Sequence, residues 1–150
     1  MRIIFLFFIS LISSSAISAE ISLSCDIQVE FNAGNGDTVK DTGKAIVEIT
    51  EEPNFRMISI SSDAADANSL TVSTRLPSTM KGNVSDFSSK SKWDIQTAIE
   101  RDNGKITNRI IIDRVTGLLI ASVEFNRNGR VSMTNVRGTC KKMDVSNRKF

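Results

Sequence analysis

Residues 21–31 alternate without a break. Ile21, Leu23, Cys25, Ile27, Val29 and Phe31 share one face, and Ser22, Ser24, Asp26, Gln28 and Glu30 share the other. A period of two over that length predicts a half-buried antiparallel strand with Cys25 turned inward. The run Asn32-Ala33-Gly34-Asn35-Gly36-Asp37 is a loop by its turn chemistry. A second strand is expected over 44–51, with Ala45, Val47 and Ile49 inward, and Glu52-Pro53-Asn54 turns the chain. The third covers 55–61. Its apolar residues fall on both faces, Phe55 and Met57 against Ile58 and Ile60, a conflict that a β-bulge would reconcile. After a polar loop at 63–68, Leu70, Val72, Thr74 and Leu76 alternate in a fourth strand that Pro77 ends.

Residues 78–92 show no pattern. They are rich in Ser and Lys, with Phe87 as the large apolar anchor, and a stretch of this length is expected to be functional or disordered. Beyond it the chain reads as successive hairpins. Trp93, Ile95, Thr97 and Ile99 form one face of a fifth strand, and Asp102-Asn103-Gly104 signals a tight turn at positive φ. The sixth strand spans 106–113 with Ile110 and Ile112 inward. Asp113 is placed to cap the next turn, in which Gly117 suits the left-handed position. Leu119, Ala121, Val123 and Phe125 line the seventh strand, Asn126-Arg127-Asn128-Gly129 turns again, and an eighth runs over 130–140 with a break expected near Gly138. No apolar stripe of period 3.6 persists beyond two turns.

The expected fold is therefore all-β: about eight antiparallel strands in an up-and-down meander, closed as a small barrel, with a two-sheet β-sandwich as the alternative. Cys25 lies in the first strand and Cys140 at the end of the last. A disulfide between them needs Cα atoms within about 7 Å, and barrel closure needs the same meeting of first and last strands.

The N-terminus supports that oxidised state. Met1-Arg2, an apolar run from Ile3 to Ile12 and the small-residue exit Ser13-Ser14-Ser15-Ala16-Ile17-Ser18-Ala19 make the three parts of a secretory signal peptide. The apolar run falls short of the ~20 residues that span a bilayer. Residues 1–19 are read as the signal and 20–150 as a single β domain, placed in the periplasm or secreted, with no transmembrane segment after cleavage.

Charge is unevenly distributed. Residues 20–100 carry seven basic and thirteen acidic side chains, and residues 101–150 carry eleven and four. Either a basic face meets an acidic partner, or acidic and basic strands become neighbours and neutralise each other. Export argues against nucleic acid as a partner.

The chain contains no His and no Tyr, and its two Cys are expected to be oxidised. Ser–His and Cys–His nucleophiles are thereby excluded, as are zinc sites built on His or Cys. No cofactor is called for. Asp63, Asp66 and Asn68 offer oxygen ligands, but their spacing is not that of an EF-hand and its Gly is missing, so a polar loop is expected. Glu51-Glu52 is the closest acid pair and reads as surface charge. Trp93, on an alternating strand, reads as core.

The segment Ile110-Ile111-Ile112-Asp113-Arg114-Val115-Thr116-Gly117, followed by Gly138-Thr139-Cys140-Lys141-Lys142, resembles a pattern in small uncharacterised exported proteins of proteobacteria, over about a third of the chain. The overall plan is also similar to that of periplasmic lysozyme inhibitors of the small β-barrel type. Those act through Tyr and a Thr-Lys-Gly turn, and this chain has neither, so the resemblance implies the fold and does not carry the activity over.

These features point to a binding or envelope-associated module, an inhibitor among the options, and not to an enzyme. Its partner would be a protein or an anionic envelope component. Contacts are expected from the 78–92 stretch with Phe87 and from the basic residues Arg127, Arg130, Arg137, Lys141 and Lys142. A carboxylate-dependent hydrolase is the enzymatic alternative. An eight-stranded outer-membrane barrel is a third, suggested by the terminal Phe150, but the wholly polar second face of the first strand lacks the apolar exterior it would need.

Overall fold

A computed structural model describes residues 18–64 and 69–143. The signal segment over 1–17, Asp66, Asn68 and Phe150 lie outside the described residues. Nine strands follow in order: β1 (Ala19–Asn32), β2 (Thr38–Glu52), β3 (Phe55–Ser62), β4 (Ser69–Ser73), β5 (Gly82–Asp86), β6 (Lys92–Arg101), β7 (Gly104–Asp113), β8 (Leu118–Arg127) and β9 (Arg130–Lys142). They form one sheet in the order β4-β3-β2-β1-β9-β8-β7-β6-β5. Every ladder is antiparallel, including the one that joins β1 to β9. The sheet curls into a nearly closed barrel that brings β4 close to β6 and β7.

The strand count explains where the barrel stays unsealed. An odd number of strands cannot alternate in direction all the way round a ring. With β1 and β9 antiparallel, the mismatch falls at β4 and β5, which run the same way. These two make no ladder, and residues 74–81 carry the chain back along the full length of the barrel before β5 begins. For orientation, the starts of β3 and β6 define the Trp93 end, and the β6–β7 and β8–β9 turns define the Phe125 end.

The predicted inward residues form the core. Val47, Ile49, Ile58, Ile60, Val72, Ile95, Ile110, Ile112 and Leu119 are buried at 0–2 % exposure and fill the middle of the barrel. The third strand needs no bulge. Its register with β2 is continuous, Ile58 opposite Ile49 and Ile60 opposite Val47, while Phe55 and Met57 stay half-buried. Burial favours the two Ile because their branched chains meet the β2 aliphatics directly across the ladder.

Several expectations are corrected. The strand count is nine rather than eight, because Gly82–Asp86 pairs with Ile95–Ile99 inside the stretch that had no pattern. Val84, not Phe87, packs against the core from that stretch, and Phe87 is 53 % exposed. β2 starts at Thr38, six residues early, since the polar run 38–43 is held by its ladder to β1. β4 ends at Ser73. β9 runs unbroken through Gly138.

The turns are mostly as expected. Asp113 Oδ1 accepts the Val115 and Thr116 N–H groups at 2.9 and 2.7 Å, and Gly117 has φ 73°. Asn128 and Gly129 both adopt positive φ in the two-residue β8–β9 turn. The β6–β7 turn is equally short, but neither Asn103 nor Gly104 has positive φ. Gly104 serves another purpose there: a Cβ would lie 2.0 Å from the Asn126 carbonyl oxygen.

Candidate functional site

Three polar assemblies stand out, two of them built around a carboxylate whose position the sequence does not reveal. The first closes the Trp93 end. Glu51 follows Ile49 on the inner face of β2, and Arg56 sits opposite it on β3. The Arg56 guanidinium donates to Glu51 Oε1 at 2.8 and 3.1 Å and, from its other arm, to Asp86 of β5. This second bond ties β3 to β5 across the unsealed seam. Arg114 stacks over the Trp93 ring at 4.2 Å and reaches to 3.9 Å from Glu51 Oε2, and the indole N–H points at the same oxygen from 3.5 Å. Burial pushes the Glu51 carboxyl upward, but the bonds from Arg56 and Trp93 and the Arg114 charge outweigh it and hold it below the ordinary carboxylate range. Glu51 is thus a half-buried ion-pair partner rather than free surface charge, and Glu52 is exposed. Trp93 is core, at 5 % exposure.

The second assembly lies on the outer face of β6. Asp94 is wholly buried there although it points away from the core. Arg109 grips it bidentately at 2.9 and 3.0 Å, Lys92 donates at 2.8 Å, and the Phe87 ring sits 5.7 Å from the Arg109 guanidinium carbon. The Asp94 N–H donates to Ser88 Oγ and its carbonyl accepts the Phe87 N–H. Residues 87–91 are therefore strapped over β6. Burial raises the Asp94 carboxyl, and the stronger combined pull of Arg109 and Lys92 brings it below its usual value.

The third is a groove of about 790 Å³ on the outer face of β2, β1 and β9. Gln28, Glu30, Lys40, Thr42, Asn135 and Arg137 are among its lining residues. The registers place Thr42, Gln28 and Arg137 in one row and Lys40, Glu30 and Asn135 in the next. A second hollow continues it toward Asp26, Gly43 and Lys44. There Asp26 pairs with Lys44 at 2.8 Å, and Asp63 Oδ1 accepts the Lys44 N–H at 2.7 Å. Asp63 thereby continues the β2–β3 ladder, its own N–H donating to the Lys44 carbonyl.

Acidic β1 lies between Lys40 and Lys44 of β2 and Arg137 and Lys141 of β9, so neighbouring strands offset each other's charge. The basic residues singled out from the sequence do not form one patch. Arg127 and Arg130 flank the turn at the Phe125 end, and Lys141 and Lys142 lie at the opposite end of β9, about 36 Å away at ~3.3 Å per residue. Arg137 stands between them, in the groove. Its side chain makes no ion pair or hydrogen bond among the described residues. Phe87 belongs to the strap on β6. Among the described residues no helix is long and apolar enough to cross a membrane, and Cys25 and Cys140 form the disulfide, consistent with an oxidising compartment.

No protein-family model, curated protein or solved structure matches this chain.

Proposed function

We propose that this chain is an exported binding protein of the periplasm or cell exterior, and that it holds its partner on the outer face of β2, β1 and β9. The observation that carries this reading is the contrast between the barrel's middle and its wall. The middle is filled with branched aliphatic side chains. The wall carries a groove of about 790 Å³ whose side chains are nearly all hydrogen-bonding groups. Within it, the Arg137 guanidinium has no ion pair or hydrogen bond among the described residues, and it is flanked in register by Gln28 on β1 and, two positions along β9, by Asn135. A guanidinium fork matches a carboxylate bidentately, and amides beside it can bond the flanking polar groups. The partner that fits is an acidic protein segment or an anionic envelope component presenting a carboxylate.

A photo-crosslinking side chain at position 28, introduced into the secreted protein, tests this. The expected result is a discrete adduct from envelope extract that disappears in Arg137→Glu and persists in Arg127→Glu. An adduct that survives Arg137→Glu unchanged would remove the groove from consideration.

A further inference from the structure

The outer faces of β1 and β9 are polar, with Asp26, Gln28 and Glu30 on one and Asn135, Arg137 and Thr139 on the other. The β7–β8 hairpin departs from this in the half nearer the Trp93 end. Ile110-Ile111-Ile112 and Leu118-Leu119-Ile120 are aliphatic on both faces. Ile110, Ile112 and Leu119 are sealed in the core, so Ile111, Leu118 and Ile120 point outward. Leu118 is 46 % and Ile120 40 % exposed, and Ile111 stands opposite Ile120 across the ladder. Strands that read as continuous apolar runs are ordinarily covered on both faces. A single exposed aliphatic carries no such meaning. Ile46 of β2 is 43 % exposed, for example, but its cross-strand neighbours are Ser24 and Ser61.

The aliphatic cluster adjoins the outer groove. Ile120 is the register partner of Arg137, which lines that groove. The Cys140 N–H bond to the Gly117 carbonyl makes the Arg137–Ile120 pair, three rungs along, a non-hydrogen-bonded one, in which facing side chains lie closest. One row across the wall therefore reads Ile111, Ile120, Arg137, Gln28. It joins two aliphatic side chains to a guanidinium that has no ion pair among the described residues. A purely acidic partner would leave the aliphatics in water, and a purely apolar one would desolvate the guanidinium without a counter-charge. The occupant that suits both halves carries a carboxylate beside an apolar group. Alternate residues of an extended segment lie about 7 Å apart, between the spacings of about 5 and 10 Å that separate strand β9 from β8 and from β7.

We propose that the groove and the β7–β8 cluster together bind an extended protein segment with a carboxylate and a large apolar side chain two residues apart. The segment lies across β9, β8 and β7, its carboxylate on Arg137 and its apolar side chain against Ile120, Ile111 and Leu118. This rests on the reading of the groove as the binding face and adds the second determinant of the partner.

A phage-displayed heptapeptide library panned on the disulfide-bonded protein is the probe. The expected result is enrichment of Asp or Glu two positions from Phe, Leu, Ile or Trp. A synthetic peptide of the enriched sequence should bind one to one by calorimetry. Arg137→Ala and Ile120→Ala should each weaken it at least tenfold, and Ile46→Ala should leave it unchanged. In the unmodified protein its titration should move the amide shifts of residues 111, 118, 120 and 137. Binding that depends on Arg137 but not on Ile120 would overturn this inference and leave the groove reading standing, whereas enrichment indifferent to Arg137 would count against both. Absence of enrichment would also overturn the inference. A dimer in sedimentation, or capture on phosphatidylglycerol vesicles, that Ile120→Ala abolishes would give the aliphatic face to a second copy or to a lipid surface instead.

Discussion

Cys25 and Cys140 face each other directly in the β1–β9 ladder, with Cα atoms 4.0 Å apart. The Cys140 N–H donates to the Gly117 carbonyl of the β7–β8 turn and not to β1. The pair is therefore of the non-hydrogen-bonded kind, in which opposed Cα atoms come closest. The bond joins first strand to last across 115 residues. Closing a loop of that size constrains the unfolded chain by at most about 4–5 kcal/mol. The Cys25→Ala/Cys140→Ala double variant should lose up to that much in urea unfolding while keeping its β-sheet circular dichroism, because the β1–β9 ladder has its own hydrogen bonds. A loss under ~1 kcal/mol would show that the unfolded chain gains little freedom from removal of the bond.

Asp94 should make the fold acid-sensitive. Its carboxyl is held below the unfolded value of about 3.9, so the unfolded chain binds its proton more readily. The stability from Asp94 is thus fully present above that unfolded value and declines as pH falls through the lower folded one. Asp94→Asn leaves Arg109 and Lys92 facing a neutral amide. Fully buried ion pairs lose about 3–5 kcal/mol when one partner goes. Here both cations are about two-fifths exposed, so about 2 kcal/mol is expected, with a flatter stability profile below pH 4. An unchanged acid limb in the variant would place the sensitivity elsewhere, with Glu51 as the next group to examine.

Leu119 and Ile120 test the facing of β8. They are adjacent in sequence, but one is 0 % and the other 40 % exposed. Leu119→Ala should cost about 2–5 kcal/mol through the cavity it leaves, and Ile120→Ala no more than about 0.5 kcal/mol. Comparable losses from the two would contradict the register of β8 with β7 and β9.

Arg56 is the tie across the seam. Replacing it with Met keeps much of its bulk but releases Asp86, so β5 loses its link to β3. Amide hydrogen exchange in 82–86 should accelerate at least tenfold relative to 106–113, which lie in a doubly paired strand. Equal acceleration in both segments would mean that β5 does not open separately.

Much of this architecture is legible in the sequence wherever alternation is clear. The inward sets of β1, β6 and β8 follow from period two alone, because a half-buried strand must send every second residue to the core. The strands with little alternation could not be read this way. Gly82–Asp86 has one medium-sized apolar residue, Val84, and becomes a strand only because the edge of β6 offers it hydrogen-bond partners. The same holds for 38–43 against β1. The candidate site was only partly legible. Arg137 was visible as one of several basic residues, but its separation from Arg127 and Lys141 follows from strand length. The roles of Glu51, Arg56 and Asp94 carried no signal, since Arg109 reaches Asp94 from 15 positions away, Trp93 reaches Glu51 from 42, and the β2–β3 ladder sets Arg56 opposite Glu51.

The sequence by itself determined the all-β class, the meander, the inward faces of the regular strands and the meeting of Cys25 with Cys140. Those follow from local periodicity and from the covalent chemistry of two thiols. Tertiary structure alone decided that there are nine strands, and hence that direction must fail to alternate at one place. It put that place between β4 and β5, where no ladder forms and where Arg56 and Asp86 bridge the two sides. It also decided which charges are spent and which stay available. Asp94 and Glu51 are neutralised by guanidinium groups brought to them from other strands, while Arg137 is left facing a groove. Pairing of distant segments sets these outcomes, and no local pattern encodes which partners the sheet will bring together.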